Sequence, residues 1–273
     1  MFKRREFLAL AGLASAGLIS PARASLNLDF TKPADNLYGL IKLMADLSGQ
    51  PRYWVQPGRI YAFREGRLAE PILNYTGCTV RAVRRISEIE YQSRYRGWML
   101  MQDPLTNEVI DEWSNPITGE LNNVTHFVTY VGKRTFTDQG VKYSGTSSAQ
   151  FTWFDRPFVL PWQVLGDDIW CPFEQFSIYT DPAGNKRYEK AIHTYHGSLS
   201  ELEDPELTMA QSTIASQSQS PWFPWMKMDR VNGHLILRSL GKKYETADGL
   251  MPWLLGELDD RYPGGLTDPF EWD

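Results

Sequence analysis

The sequence predicts a mainly β protein, an antiparallel meander closed into a lipocalin-like barrel or folded into a two-sheet sandwich, with an N-terminal helix and a short C-terminal helix. Three observations support this class. Short runs rich in β-branched and aromatic residues alternate with turn signals over most of the chain. Helical crossovers between these runs are missing, which argues against a doubly wound or TIM-barrel fold. A long meander also has two exposed edges, and closure into a barrel removes them.

The two helices are predicted from hydrophobic periodicity. Apolar residues recur at helical spacing over 34–47, and Gly49 follows as a stop signal. A second, shorter helical pattern covers 247–258 and is interrupted by Pro252. The remaining stretch, 262–273, is rich in Gly and Pro, and we expect it to lie on the body as irregular chain.

The strands are separated by turns in which Pro, Asp, Asn and Gly cluster. Three such turns are Asp103–Asn107, Asn115–Gly119 and Asp181–Asn185. The polar stretch Gln211–Ser220 is low in complexity and is predicted to be an exposed loop. The predicted strands are 60–63, 72–86, 89–102, 108–113, 123–131, 149–160, 174–180, 187–196 and 234–240.

Composition limits the classes of function. The chain has 273 residues, of which 42% are hydrophobic and 22% are charged, so it can bury a core. Its net charge of -5 argues against a protein that binds nucleic acid through a basic face. Two cysteines are too few for a disulfide scaffold, and the pairing of Cys78 with Cys171 stays open.

The first 24 residues have the three parts of an export signal. Lys3, Arg4 and Arg5 precede an apolar run from Leu8 to Ile19, and a small-residue cleavage site ends at Ala24. The paired arginines are typical of a twin-arginine signal, which the export machinery recognises. We therefore expect residues 25–273 to form one periplasmic or secreted domain that is not embedded in a membrane. Its Lys and Arg fall from 28 to 24 and its Asp and Glu from 33 to 32, which gives a net charge of -8.

The run Trp98–Glu120 contains the pattern D-P-x-T-x-E-V-I-D-x-W-x-N-P-x-T-G-E. This run resembles the family known as Domain of Unknown Function 1838, found in bacteria and fungi. His126 and the segment Pro224–Met228 also fit that family, whereas Phe127–Arg134 departs from the N-D-P-V-N expected there. The resemblance implies no assigned activity.

Three residues are candidates for acid–base catalysis. His126 has a side chain that titrates near neutral pH and lies in a predicted strand. Arg81, if it points into a barrel, would bind a carboxylate or phosphate. Glu174 is a carboxylate among aromatic residues, where burial would raise its pKa. The competing interpretation is that each of these residues has a structural role. For His126 this would be the role of a buried, hydrogen-bonded histidine.

A second group of candidates would bind a ligand. His193 and Tyr195 share one face of a predicted strand, whereas His196 points the other way, so a metal site built on this pair needs further ligands. No nucleotide, nucleophile-elbow or zinc-protease motif is found, and no cofactor is identified. The other candidate ligand-binding residues are Trp98, Trp113, Asn115, Trp153, Trp222 and Trp225.

Three functions follow from these patterns. The first is binding of a small apolar or aromatic ligand in an aromatic-lined cavity under the Pro221–Met226 segment, with acid–base catalysis on it as an open possibility. The second is a carbohydrate or cell-envelope binding module in which Trp222 and Trp225 are exposed. The third is a metal-dependent enzyme. The sequence does not decide whether the protein is an enzyme.

Overall fold

A computed structural model of the chain describes residues 25–145, 149–151, 159–180 and 186–272. The predicted signal segment, the predicted turn Asp181–Asn185 and Trp153 lie outside these ranges, so the export signal and this turn stay predictions. No helix in the described part of the chain is long and apolar enough to cross a membrane.

The described residues form a mainly β fold, as predicted. Its main element is an antiparallel sheet with strand order β7-β6-β3-β2-β1-β13-β12-β11-β10-β8, in which β9 pairs with β10, and β4 and β5 form a separate hairpin. The strands are β1 (Arg52–Phe63), β2 (Glu70–Ser87), β3 (Glu90–Gln102), β4 (Glu112–Ser114), β5 (Leu121–Asn123), β6 (Phe127–Thr137), β7 (Gly140–Gly145), β8 (Ala149–Phe151), β9 (Gln163–Leu165), β10 (Asp168–Thr180), β11 (Lys186–Ser198), β12 (Ser212–Ser220) and β13 (His234–Tyr244).

The sheet curls into a half-barrel around the N-terminal helix. This helix, α1 (Pro33–Met44), packs against apolar side chains from β3 and β6 as well as from β10 and β11, which lie far apart in the strand order. The two edge strands are joined by residues 146–148 only, so the ends of β7 and β8 lie within about 15 Å of each other. Of the two predicted architectures, the barrel-like one is therefore confirmed.

Side chains alternate between two faces of this sheet. We call the face that packs on α1 the inner face, and the opposite one the outer face. Trp54 of β1 points inward to α1, whereas its neighbours Tyr53 and Val55 point outward. The outer face is covered by α3 (Pro252–Arg261), which buries Leu254 and Leu258 against it.

The two ends of the inner face are filled by different elements. At one end α1 lies inside the curl, together with the short helix α2 (Leu199–Glu203). At the other end the 3-10 turn Pro224–Met226 packs with the β4–β5 hairpin over strand residues such as Ile60 and Leu73. A second 3-10 turn, Ala247–Gly249, precedes α3.

The C-terminus of α1 is capped from the sheet. The ammonium group of Lys243, on the inner face of β13, donates hydrogen bonds to the carbonyl oxygens of Lys42, Leu43 and Ala45 at 3.0, 2.8 and 3.2 Å. These carbonyls belong to the end of the helix, where no N–H of the helix itself can reach them. Burial lowers the pKa of Lys243 to about 7.

The prediction of an exposed loop at Gln211–Ser220 is wrong. This stretch is β12, in the middle of the sheet between β11 and β13. Its alternate residues Ser212, Ser216 and Ser218 point inward, so a strand of low hydrophobicity borders a polar part of the inner face.

The C-terminal tail lies on the outer face of β2 and β3, as predicted. Arg94 and Arg96 donate hydrogen bonds to the tail carbonyls of Glu271 and Asp268, and the Arg96 guanidinium lies 4.4 Å from the centre of the Phe270 ring. The two cysteines are free and buried on opposite faces: Cys78 lies under α3 and Cys171 packs with α1.

Candidate functional site

The middle of the inner face differs from both ends. At the ends the strand residues are fully buried, as Val83 is beside α1 and Leu73 is beside the Pro224–Met226 turn. Between them lies a polar group of side chains that keep accessible surface although they point into the curl. The described residues therefore leave a space along the inner face. The accessible polar group comprises Gln56, Tyr95, Arg134, Glu189, His193, Ser216 and Ser218.

A chain of hydrogen bonds orients His193. Its Nδ1 lies 2.8 Å from the hydroxyl of Ser216, and that hydroxyl donates to Oε1 of Gln56 at 3.5 Å. We assign the ring proton to Nδ1, which then donates to Ser216, because the Ser216 proton is directed to Gln56. The Nε2 atom then has a free lone pair, and it has no hydrogen-bond partner among the described residues.

His193 is neutral at pH 7. Burial inside the curl lowers its pKa to about 4, and the positive charges of Arg134 and Arg81 contribute in the same direction. A neutral imidazole with an accessible Nε2 can accept a proton or a hydrogen bond from a ligand.

Two arginines approach the same tyrosine ring. The guanidinium carbon of Arg134 lies 4.6 Å, and that of Arg81 lies 5.5 Å, from the ring centre of Tyr95 on β3. Arg81 also contacts the sulfur of Met44 at 3.6 Å, and its charge acts to lower the pKa of the nearby Tyr195 hydroxyl. Burial raises the pKa of Tyr195, so its hydroxyl stays protonated at neutral pH.

A carboxyl group lies further along the inner face. Glu189 lies on β11, four residues before His193, and burial raises its pKa. It has no hydrogen-bond or ion-pair partner among the described residues. Burial raises the pKa of Tyr75, and the negative charge of Glu189 contributes in the same direction.

These groups suit a ligand with an anionic end. Two guanidinium groups on the strands that flank β3 can donate several charge-assisted hydrogen bonds to a carboxylate or phosphate. A neutral histidine and a carboxyl of raised pKa beside them are groups that acid–base chemistry requires. Of the residues predicted from the sequence, the structure brings together Arg81, His193 and Tyr195.

The predicted catalytic set of His126, Arg81 and Glu174 does not converge. His126 lies in the irregular segment between β5 and β6, beside Met101, whereas Arg81 is in register with Tyr95, six residues earlier on β3, or about 20 Å along the strand. Glu174 is exposed on the outer face of β10, since Phe173 before it points inward.

His126 is held by contacts to both ring nitrogens. The backbone N–H of Met101 donates to Nδ1 at 3.1 Å, and Nε2 lies 3.4 Å from Asp111. Arg261 of α3 binds the same carboxylate at 2.7 and 3.1 Å. Burial, and then the charge of Arg261, lower the pKa of His126, so a neutral ring joins β3 to the hairpin segment that α3 also binds.

The remaining predicted ligand-binding residues lie elsewhere. Trp98 is buried on the outer face, 6.2 Å from the ring of Tyr262. Trp222 is 7% exposed, and its indole N–H donates to the carbonyl of Val231 at 2.8 Å. Trp113 and Trp225 meet edge to face at 5.6 Å, and Trp225 is half-buried.

The family-like run Trp98–Glu120 forms two capped turns. The Asp103 carboxylate accepts the backbone N–H groups of Leu105 and Thr106, each at 2.8 Å. The Asn115 side chain caps its own turn in the same way and also donates to the carbonyl of Met226 at 3.3 Å. Asn115 therefore fastens the hairpin to the turn that covers one end of the inner face.

Sequence reasoning missed Arg134, Gln56, Ser216 and Glu189. Arg134 lies in the stretch that departs from the family pattern, and Ser216 lies in the supposed loop. Alternation within correctly placed strands would have found them, because Arg134 opposes inward-facing Ser93 and Ser216 opposes His193. The described residues contain no group of three or more His, Cys, Asp or Glu side chains that could hold a metal ion.

Comparison with known proteins gave one strong match. A family model described as a protein of unknown function, DUF1838, matches residues 49–272. No curated protein matches the chain. Among solved structures, a conserved protein of unknown function with a hot dog fold from Alicyclobacillus acidocaldarius aligns at 9% identity with a TM-score of 0.11, over 80% of this chain and 87% of that chain. The family match begins after α1 and includes every strand described above.

Proposed function

The chain belongs to the DUF1838 family, and from that premise we propose that its half-barrel binds a small apolar or aromatic ligand carrying one anionic group on the inner face. One observation carries this proposal: buried Arg81 and partly accessible Arg134 both lie against the ring of Tyr95, which keeps accessible surface on the inner face. Two guanidinium groups that lie against one ring can donate charge-assisted hydrogen bonds to the same carboxylate or phosphate of a ligand.

The apolar part of the ligand would lie toward the Pro224–Met226 turn. Apolar side chains line the inner face there, and Met99 keeps accessible surface. Phe127 is 40% exposed and packs edge to face on Phe223 with the ring centres 4.6 Å apart. Apolar walls with a few polar groups at one end are the usual design of a small-molecule site.

Acid–base chemistry at His193 is the second part of the proposal. An anion bound beside Arg81 and Arg134 offsets the positive charges that help to lower the pKa of His193. Binding therefore raises this pKa from about 4 toward its ordinary value of 6.5. The Nε2 atom could then take a proton from the ligand and return it. His126 is not assigned this role because both of its ring nitrogens are already engaged.

Binding of 2-naphthoate, measured by titration calorimetry, tests the proposal, with 2-naphthamide as the uncharged analogue. We expect Arg81→Gln and Arg134→Gln each to weaken 2-naphthoate binding at least tenfold, because each removes charge-assisted hydrogen bonds. Arg84→Gln is the matched control, since Arg84 lies on the same strand but points outward. NMR titration of His193 should show its pKa rising when 2-naphthoate binds. Equal affinity for the acid and the amide would contradict the proposal.

A further inference from the structure

A row of polar side chains crosses the outer face of the sheet. Register pairs join Gln102 to Asn74, Asn74 to Arg59, Arg59 to Arg238, and Arg238 to Gln217, on five successive strands. With strands about 4.8 Å apart, the row is about 19 Å long. It lies on the face opposite to Arg81 and His193.

Arg59 and Arg238 face each other directly at the centre of this row. Like charges at opposed positions of an antiparallel pair are unfavourable. Neither arginine has a carboxylate partner among the described residues. Their Nε atoms are used instead on neutral amides: Arg59 donates to Asn74 at 2.8 Å and Arg238 donates to Gln217 at 3.1 Å. These bonds orient both guanidinium groups and leave their terminal N–H groups for a ligand.

The arginine pair lies in a groove with a volume of about 950 Å³. None of the residues that line it in the described part of the chain is acidic, although the protein has 33 Asp and Glu residues. Apolar side chains on both sides of the arginines are unusually open to solvent. Leu240 is 71% exposed, Trp253 is 41% exposed and Ile192 is 36% exposed.

The start of α3 adds positive potential at one side of the groove. Met251 and Trp253, at the first turn of this helix, both line the groove. The helix has no side-chain cap and no acidic residue in its first turn, so the positive end of its dipole is not compensated there.

We propose that this outer groove binds a single amphipathic organic anion, with its carboxylate between Arg59 and Arg238 and its alkyl chain over Leu240 and Trp253. The two opposed cations favour a ligand with an anionic head group, and the exposed apolar side chains favour one with an alkyl chain. The volume falls within the range of small-molecule pockets. This site is separate from the inner one, because the two sets of arginines lie on opposite faces of the sheet.

Titration calorimetry with sodium dodecanoate below its micelle concentration tests the site, with dodecyl maltoside as the uncharged amphiphile. We expect Arg59→Gln and Arg238→Gln each to weaken dodecanoate binding about tenfold, and the double variant to weaken it further. Trp253→Ala should reduce affinity for dodecanoate severalfold. Arg67→Gln, the same charge change at an exposed arginine outside the groove, is the control.

Three outcomes would overturn the assignment. The first is wild-type affinity for dodecanoate in Arg59→Gln and Arg238→Gln. The second is loss of dodecanoate binding in Arg81→Gln rather than in the groove variants, which would place this ligand on the inner face. The third is binding to vesicles of anionic phospholipid without binding to free dodecanoate, which would make the groove a membrane-contact surface. Failure of the 2-naphthoate experiment leaves this assignment standing, because the two experiments use different arginines.

Discussion

Residues of the same type have opposite environments on the inner and outer faces of the same strands. On β13, inward Lys243 is buried and caps α1, whereas its neighbour Lys242 is exposed. On β11, inward His193 has a pKa near 4, whereas outward His196 bonds Asp168 at 2.8 Å and stacks on Trp170. The type of a residue therefore predicts little about its role here. The face of the sheet to which its side chain points, set by its position along the strand, predicts much more.

The difference lies in how charge is compensated. Inner cations are out of bulk water, so each requires specific partners, and each shifts the protonation of its neighbours. Outer cations such as Lys242 and Arg238 keep contact with water, which screens them. The neighbouring lysines, the two histidines and two glycines can each be used to test this contrast.

The largest effect is expected at the lysine pair. Lys243→Met removes three hydrogen bonds from the helix-end carbonyls, although Lys42 and Leu43 keep the Ala210 N–H and the Ser212 hydroxyl as donors. We expect the free energy of unfolding to fall by about 3 kcal/mol. Lys242→Met on the outer face should change it by less than about 0.5 kcal/mol. Urea denaturation followed by circular dichroism measures both. Equal losses for the two variants would remove the distinction between the faces.

A pH effect of similar size is expected from His193. Its pKa is about 4 in the folded protein and about 6.5 in the unfolded chain, so the unfolded chain binds more protons between these values. Stability contributed by His193 is complete above pH 6.5 and is lost as the pH falls toward 4. The loss amounts to about 3 kcal/mol.

The histidine pair isolates this contribution from other groups that titrate in acid. His193→Gln keeps a hydrogen bond to Ser216 but cannot titrate, so its free energy of unfolding should fall less than that of the wild type between pH 6.5 and 4. His196→Gln should retain the wild-type pH dependence from His193. Identical pH profiles for His193→Gln and the wild type would show that the imidazole is not buried in the folded state.

The smallest effect is expected at a glycine. A Cβ atom on Gly132 would lie 2.2 Å from the ring of Tyr95, so Gly132→Ala must displace that ring from Arg81 and Arg134. We expect a loss of about 2 kcal/mol in unfolding free energy together with weaker 2-naphthoate binding. Gly256→Ala is the control, because its Cβ would meet open space within α3, and it should stabilise by about 0.5 kcal/mol. Unimpaired 2-naphthoate binding by Gly132→Ala would show that the position of the Tyr95 ring does not matter for the binding site.

The fold class could be predicted because it depends on local patterns. Apolar periodicity identified α1, and turn residues such as Asp103 and Asn115 marked hairpins whose backbone they cap. The prediction failed at Ser212–Ser220, where neighbouring strands on both sides provide the hydrogen bonds that make a polar segment a strand. Strand propensity is weak against such a context.

The site could be predicted only in part. His193 and Tyr195 were placed on one face by alternation alone, and Arg81 was recognised as an arginine that would bind an anion if it pointed inward. Arg134 lies on β6, which is separated by β3 from the strand of Arg81. No local sequence pattern predicts that these two arginines lie close together. Which strands neighbour each other is a property of the whole sheet.

The position of Lys243 also has a consequence for synthesis of the protein. Helix α1, around which the sheet curls, comes early in the sequence. Lys243, which caps this helix, and β13, which pairs with β1, come near the end of the sequence. While the chain emerges from the ribosome, β1 can pair with β2 but not with β13, and the end of α1 stays uncapped. Completion of the curl must therefore wait for nearly the whole chain, as expected for a topology dominated by long-range contacts.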